Sequence, residues 1–134
     1  MVVTVTQEDF DINRLIEERK APDMGAMVSF IGIVRDDGIE RIELEAHQEV
    51  AVEELEVIRD EAFAKFPIKS VDIIHRIGDL RVGDNIVLIL VGAGHRREAF
   101  EGCEYIIERL KERVPIWKKE YTPDGERWVQ GEHH

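Results

Sequence analysis

The chain has 134 residues, 43% hydrophobic and 35% charged, with a formal net charge of −11, the size and balance of one soluble domain with its own core. Its longest apolar runs, residues 27–34 and 86–91, are far short of the roughly 20 residues of a bilayer span, and its acidity argues against a nucleic-acid partner. Cys103 is the single cysteine, so no internal disulfide can form, and no basic leader with an apolar core opens the sequence; a cytoplasmic protein is expected.

Residues 2–5 predict a short strand, after which Thr6 is placed to cap a helix with Phe10, Ile12, Leu15 and Ile16 on its apolar side. Ala21-Pro22 ends that helix. Residues 25–34 are uncharged and apolar, the pattern of a strand buried on both faces, and Asp36-Asp37-Gly38 turns the chain into a second strand over residues 39–47. There Ile42, Leu44 and Ala46 alternate with Arg41, Glu43 and Glu45, the period of a half-exposed antiparallel strand.

Residues 49–65 predict a second helix with Ala51, Leu55, Ile58 and Ala62 inward and one acidic face, stopped by Pro67. Two strands follow over residues 70–77 and 85–91, joined by a turn over residues 78–84 that contains two glycines. A third helix runs from about residue 97 to residue 113, with the stripe Phe100, Cys103, Ile106, Ile107, Leu110 and Val114 facing a sheet until Pro115. A last strand is placed at residues 127–130. The terminal His133 and His134 are assigned no function.

Charge is unevenly spread. Residues 1–66 hold 17 acids against 7 Lys and Arg, whereas residues 67–134 hold 12 against 11, so the second half is the part suited to an anionic ligand. His95 and Arg96 follow Gly92-Ala93-Gly94 at a strand-to-helix junction, where free backbone N–H groups and the helix dipole attract a phosphate. Surface pairing of Arg96 and Arg97 with Glu98 and Glu101 explains the same residues equally well. Lys111 borders the apolar stripe of the third helix and Lys118 follows Pro115-Ile116-Trp117. A lysine held against apolar surface can move protons, although taken alone each lysine reads better as a snorkelling or helix-end cation. Arg35 is either a pocket cation or half of a turn ion pair with the neighbouring aspartates. Cys103 reads as a buried, inert thiol. His47, His75 and His95 lack metal-ligand spacing, so no metal is predicted and no cofactor is called for.

The segments Gly25-Ala26, Phe30-x-Gly32-x-Val34-Arg35, residues 74–84, His95-Arg96-x-x-Ala99-Phe100-Glu101, Leu110-Lys111 and residues 115–129, in this order and spacing, closely resemble the large, catalytic subunit of molybdopterin synthase. The resemblance implies an α+β fold, a single-domain α/β hammerhead over residues 1–134 with a mainly antiparallel sheet and about three helices. It implies a sulfurtransferase that acts on cyclic pyranopterin monophosphate. The donor in that family is a small ubiquitin-like subunit with a C-terminal Gly-Gly thiocarboxylate, and two transferred sulfurs build the dithiolene of molybdopterin. The active form it implies is a heterotetramer built on a homodimer of large subunits. Carried over residue by residue, Arg35, His95 and Arg96 are expected to bind the substrate phosphate and pterin, Lys118 to move protons or stabilise charge, and Lys111 to meet the thiocarboxylate.

The chain departs from that family in a short segment after Arg35, in His47 where tyrosine is common, and in Val50 where methionine is common. Arg96 and Lys111 bracket one helix, about 22 Å apart at 1.5 Å per residue, so the site is expected to be shared between the two copies of a dimer. The alternatives are a binding module that holds a phosphate ligand or an acidic tail without turnover, and a stand-alone enzyme using Cys103.

Overall fold

The computed structural model describes residues 1–129; Gln130 of the last predicted strand, and His133 and His134, lie outside the described residues. Two four-stranded sheets organise the chain. The first contains β1 (Val3–Thr6), β4 (Ile68–Arg76), β6 (Asn85–Ala93) and β2 (Ala26–Ile33), in that spatial order. Only its β1–β4 pair is parallel. The second contains β5 (Gly78–Arg81), β3 (Arg41–Glu45), β7 (Trp117–Thr122) and β8 (Gly125–Val129), all antiparallel. Three helices among the described residues, α1 (Ile12–Arg19), α2 (Gln48–Lys65) and α3 (Arg96–Arg113), complete the α+β class expected from the sequence. None of them is long and apolar enough to cross a membrane.

The strand period of two sorts the core. Along β6, Val87, Ile89 and Val91 point into a large cluster shared with α2, α3 and the second sheet, while Leu88 and Leu90 point to the other face and meet Leu15. Sheet one is therefore covered by α2 and α3 on one face and by α1 on the other. Ile42, Leu44 and Leu80 bring the second sheet's inner face into the large cluster. β6 is buried on both faces because helices cover both sides of the sheet and strands flank it on either edge. β2, for which the sequence predicts that environment, is the sheet's edge strand: most of it is half-buried, and Ile33 is 53% exposed.

Other boundaries move for local reasons. Thr6 ends β1, and its Oγ1 accepts only from the Glu8 N–H; the cap of α1 is Asp11, whose carboxylate accepts from the Arg14 N–H at 3.1 Å. His47 belongs to no strand: it caps α2, with Nδ1 accepting from the Val50 N–H at 3.4 Å. The predicted turn at residues 78–84 contains β5, which pairs with β3 before Gly83, at φ 91°, reverses the chain. Phe100 is 60% exposed, and the inward stripe of α3 is Ala99, Gly102, Cys103, Ile106 and Leu110. Gly102 serves where the helix passes close over Ile68 and Val91. β7 is the largest omission of the sequence reading.

The acidic face of α2 is partly used within the fold. Arg113, in the last turn of α3, donates to Glu54 at 2.8 Å and to Glu61 at 2.6 Å, and the Tyr105 hydroxyl donates to Glu61 at 2.8 Å. Hydrogen bonds from Arg113, then from Tyr105, hold Glu61 below its ordinary value of 4.5. A depressed carboxylate stabilises the fold above its unfolded value and loses that contribution as pH falls through its folded value. The melting-temperature advantage of the parent over Glu61→Gln is therefore expected to be full at neutral pH and to close below about pH 4. A gap that persists unchanged into acid would show that the clamp does not depend on the carboxylate's charge.

Candidate active site

Pro115 stops α3, and Val114 and Ile116, 9% and 4% exposed, anchor the chain as it turns into β7. In the β7–β3 register Lys118 lies opposite Leu44 and Glu120 opposite Ile42. Both side chains thus share the sheet's inner face and are only 16% and 11% exposed. Arg35 reaches the same place from the other sheet. β2 breaks register between Gly32 and Ile33, Val34 is fixed by hydrogen bonds with Asp84 and Gly83, and the next residue leaves the sheet. Arg35 and Lys118 line one cleft of about 170 Å³, together with Phe30, Asp37 and Glu120. Both readings of Arg35 hold: it lines the cleft, and its Nε donates to Asp37 at 2.7 Å with the side chain 75% exposed. A cleft of this size is smaller than the roughly 300 Å³ at which sites for small organic ligands begin.

His95 and Arg96 sit elsewhere. The Gly25 N–H donates to the Ala93 carbonyl at 2.9 Å, and a side chain at Gly25 would collide with the Gly94 carbonyl. This close backbone approach pins the junction from which α3 starts. His95 is the extended N-cap residue of α3, its imidazole makes no capping hydrogen bond, and both it and Arg96 are exposed. His95 lines a separate depression of about 330 Å³ with Lys69, Asp23 and Glu98. Lys111, half-buried, is in the last turn of α3. The uninterrupted helix keeps it about 22 Å from Arg96. One chain thus brings Arg35 and Lys118 together and holds His95 and Arg96 at the opposite end of a helix.

Glu120, which lines the cleft, and Arg127, which bonds to it from outside the lining, are not singled out by the sequence reading. Glu120 lies 3.6 Å from the Lys118 ammonium, and Arg127 on β8 donates to it from Nε at 3.0 Å and Nη2 at 2.8 Å. The signal was present as Lys118-x-Glu120, two residues on one face of a strand, and it becomes readable only when β7 is recognised as one. Cys103 is 3% exposed, and burial pushes its thiol up to about 12, which removes it as a nucleophile at neutral pH. Among the described residues no group of three or more His, Cys, Asp and Glu is arranged to hold a metal ion.

The profile of the MoaE protein family matches residues 5–113. The molybdopterin synthase catalytic subunit of Pyrococcus abyssi is 46% identical over 131 residues, 95% of this chain and 88% of that protein. The subunit of the same name from Escherichia coli is 43% identical over 110 residues, 79% of this chain and 73% of that protein. Among solved structures, molybdopterin synthase from Staphylococcus aureus superposes with a TM-score of 0.89 at 40% identity, covering 95% of this chain and 96% of that one. The complex of subunits 1 and 2 of molybdopterin-converting factor from Helicobacter pylori gives a TM-score of 0.80 at 25% identity, covering 95% and 89%. A profile over residues 5–113 and relatives that cover 79% to 95% of the chain, with a matching fold, have one reading: the chain belongs to the MoaE family of molybdopterin synthase catalytic subunits.

Proposed function

We propose that this chain, acting as the catalytic subunit of molybdopterin synthase, transfers sulfur from the thiocarboxylated C-terminus of a small ubiquitin-like subunit to cyclic pyranopterin monophosphate. The working unit is a homodimer of this chain with one small subunit at each end, in the cytoplasm. The two-subunit composition of the Helicobacter pylori neighbour supports such a partner. One observation carries the site: Arg35 and Lys118 share a cleft too small for a pterin, while His95 and Arg96 lie exposed at the far end of α3. A second copy that presents its His95 and Arg96 to this cleft completes it.

In this arrangement Arg35, His95 and Arg96 bind the substrate's phosphate and pterin. Lys118 moves the proton that ring opening requires and stabilises developing charge, and Lys111 draws in the anionic tail. Each carrier gives up its sulfur and ends as a carboxylate, with the oxygen supplied by water.

The test is mass spectrometry of the pterin after mixing this protein, cyclic pyranopterin monophosphate and a thiocarboxylated small subunit, with each component omitted in turn. A product carrying two sulfurs only in the complete mixture is expected. Bound but unchanged substrate beside a working control enzyme would make the chain a binding module instead. A second arm tests sharing: Arg96→Ala and Lys118→Ala proteins, each inactive, are mixed and allowed to exchange subunits. Half of the dimers then hold one intact site of two, so about a quarter of the parent rate should return. No recovery after demonstrated exchange would place the whole site in one chain.

A further inference from the structure

We propose that Arg127 is a positioning residue for Lys118, acting through Glu120: it occupies one oxygen of the shared carboxylate and so keeps the lysine ammonium from being locked to it. The proposal rests on Lys118 being the reacting lysine and deepens that reading.

The Glu120 side chain is only 11% exposed, and a charge so far out of water needs compensation. Two cations are within reach, and they share it unequally. Both Arg127 donors go to the same oxygen, Oε1, at 3.0 and 2.8 Å. Lys118 faces the other oxygen, Oε2, at 3.6 Å, beyond hydrogen-bond range. The short, charge-assisted contacts belong to Arg127, and the reacting lysine is left near the carboxylate but not bonded to it.

The register explains the geometry. Arg127 lies directly opposite Glu120 in the β7–β8 ladder, so its side chain emerges on the face that carries Glu120 and Lys118. Across the cleft, Arg35 is engaged by Asp37 at 2.7 Å, so neither of those groups substitutes for Arg127 on Glu120. Take Arg127 away and the buried carboxylate has only Lys118. An ammonium need move less than about 1 Å to convert this contact into a hydrogen bond. A lysine held that way donates and accepts protons poorly and reacts slowly with an electrophile. The Arg127 side chain is 65% exposed, so its replacement removes little packing.

The deciding experiment reads Lys118 directly. The full chain is treated with trace acetic anhydride, and acylation of Lys118 is measured by peptide mass spectrometry relative to Lys20, an exposed lysine on the other side of the molecule. In Arg127→Ala the relative acylation of Lys118 is expected to fall about threefold or more. Arg127→Lys, which keeps a cation opposite Glu120, should recover most of it. Adding Glu120→Gln to Arg127→Ala should recover it as well. Unchanged or faster acylation in Arg127→Ala overturns the proposal, as does loss of reactivity that neither second change restores. Should the alanine variant not fold, Arg127→Gln is read against Arg127→Lys by the same criteria.

In sulfur transfer, Arg127→Ala should lower kcat about tenfold with the pterin KM within about threefold, and Arg127→Lys should rescue it. If the parent protein transfers no sulfur, the proposed function fails while the labelling result still decides the role of Arg127.

Discussion

Lys118→Ala is expected to lower single-turnover sulfur transfer by at least about a hundredfold, the scale of losing a positioned proton-transfer group. The fold should survive the change. Glu120 keeps both hydrogen bonds from Arg127, so no buried carboxylate is stranded, and Leu44 and Ile42 still seal the inner face. The melting temperature should stay within about 5 °C of the parent. Binding of cyclic pyranopterin monophosphate should weaken much less than turnover, because Arg35, His95 and Arg96 remain. Rapid-quench kinetics with preformed small-subunit thiocarboxylate would check this, and a single-turnover rate near that of the parent would remove Lys118 from the chemistry.

The second large effect concerns stability. Asp72, fully buried in the middle of β4, accepts from Arg19 Nε at 3.0 and 2.9 Å, from Arg19 Nη2 at 2.8 Å and from the Val2 N–H at 2.7 Å. The hydrogen bonds that Arg19 gives to Asp72 raise the arginine above its ordinary value. Arg19→Ala leaves a buried carboxylate with the Val2 N–H as its one remaining donor among the described residues. The expected cost is about 3 kcal/mol, the lower end for breaking a buried pair, because Val2 remains as a donor. Denaturant melts should show the midpoint fall, and adding Asp72→Asn should return part of the loss because the stranded charge is gone. A cost below about 1 kcal/mol for the single change would mean that water reaches Asp72 once Arg19 is removed.

Local pattern made much of this legible. Ala51, Leu55, Ile58 and Ala62 gave away α2, and the alternation around Ile42 and Leu44 gave away β3, because each pattern answers to the geometry of its own element. The failures lie where neighbours decide. The apolar run at residues 27–34 cannot report that β2 is an edge and β6 a centre, since both read as uninterrupted hydrophobics. Phe100 matches the helical stripe yet is displaced by Ala99 and Gly102, whose small size lets the helix sit close to the sheet. Trp117-Lys118-Lys119-Glu120-Tyr121 is too polar to be read as a strand, because its inner face is filled by an ion cluster in place of hydrocarbon. Arg35, His95, Arg96, Lys111 and Lys118 were each nameable through the family resemblance. Their division into two groups at opposite ends of α3 followed from helix rise alone, whereas the pairing of Glu120 with Arg127 needed the hairpin register.

The position of that hairpin has a consequence for how the protein is made. The first sheet and all three helices are built from residues 3–113, so every one of them is synthesised before the β7–β8 hairpin. β7 comes later and adds to the free edge of β3, and β8 then pairs with β7. Lys118, Glu120 and Arg127 all ride on that final segment. A chain cut after residue 113 would thus keep the strands and helices of the hydrophobic scaffold and lose Lys118, Glu120 and Arg127 together.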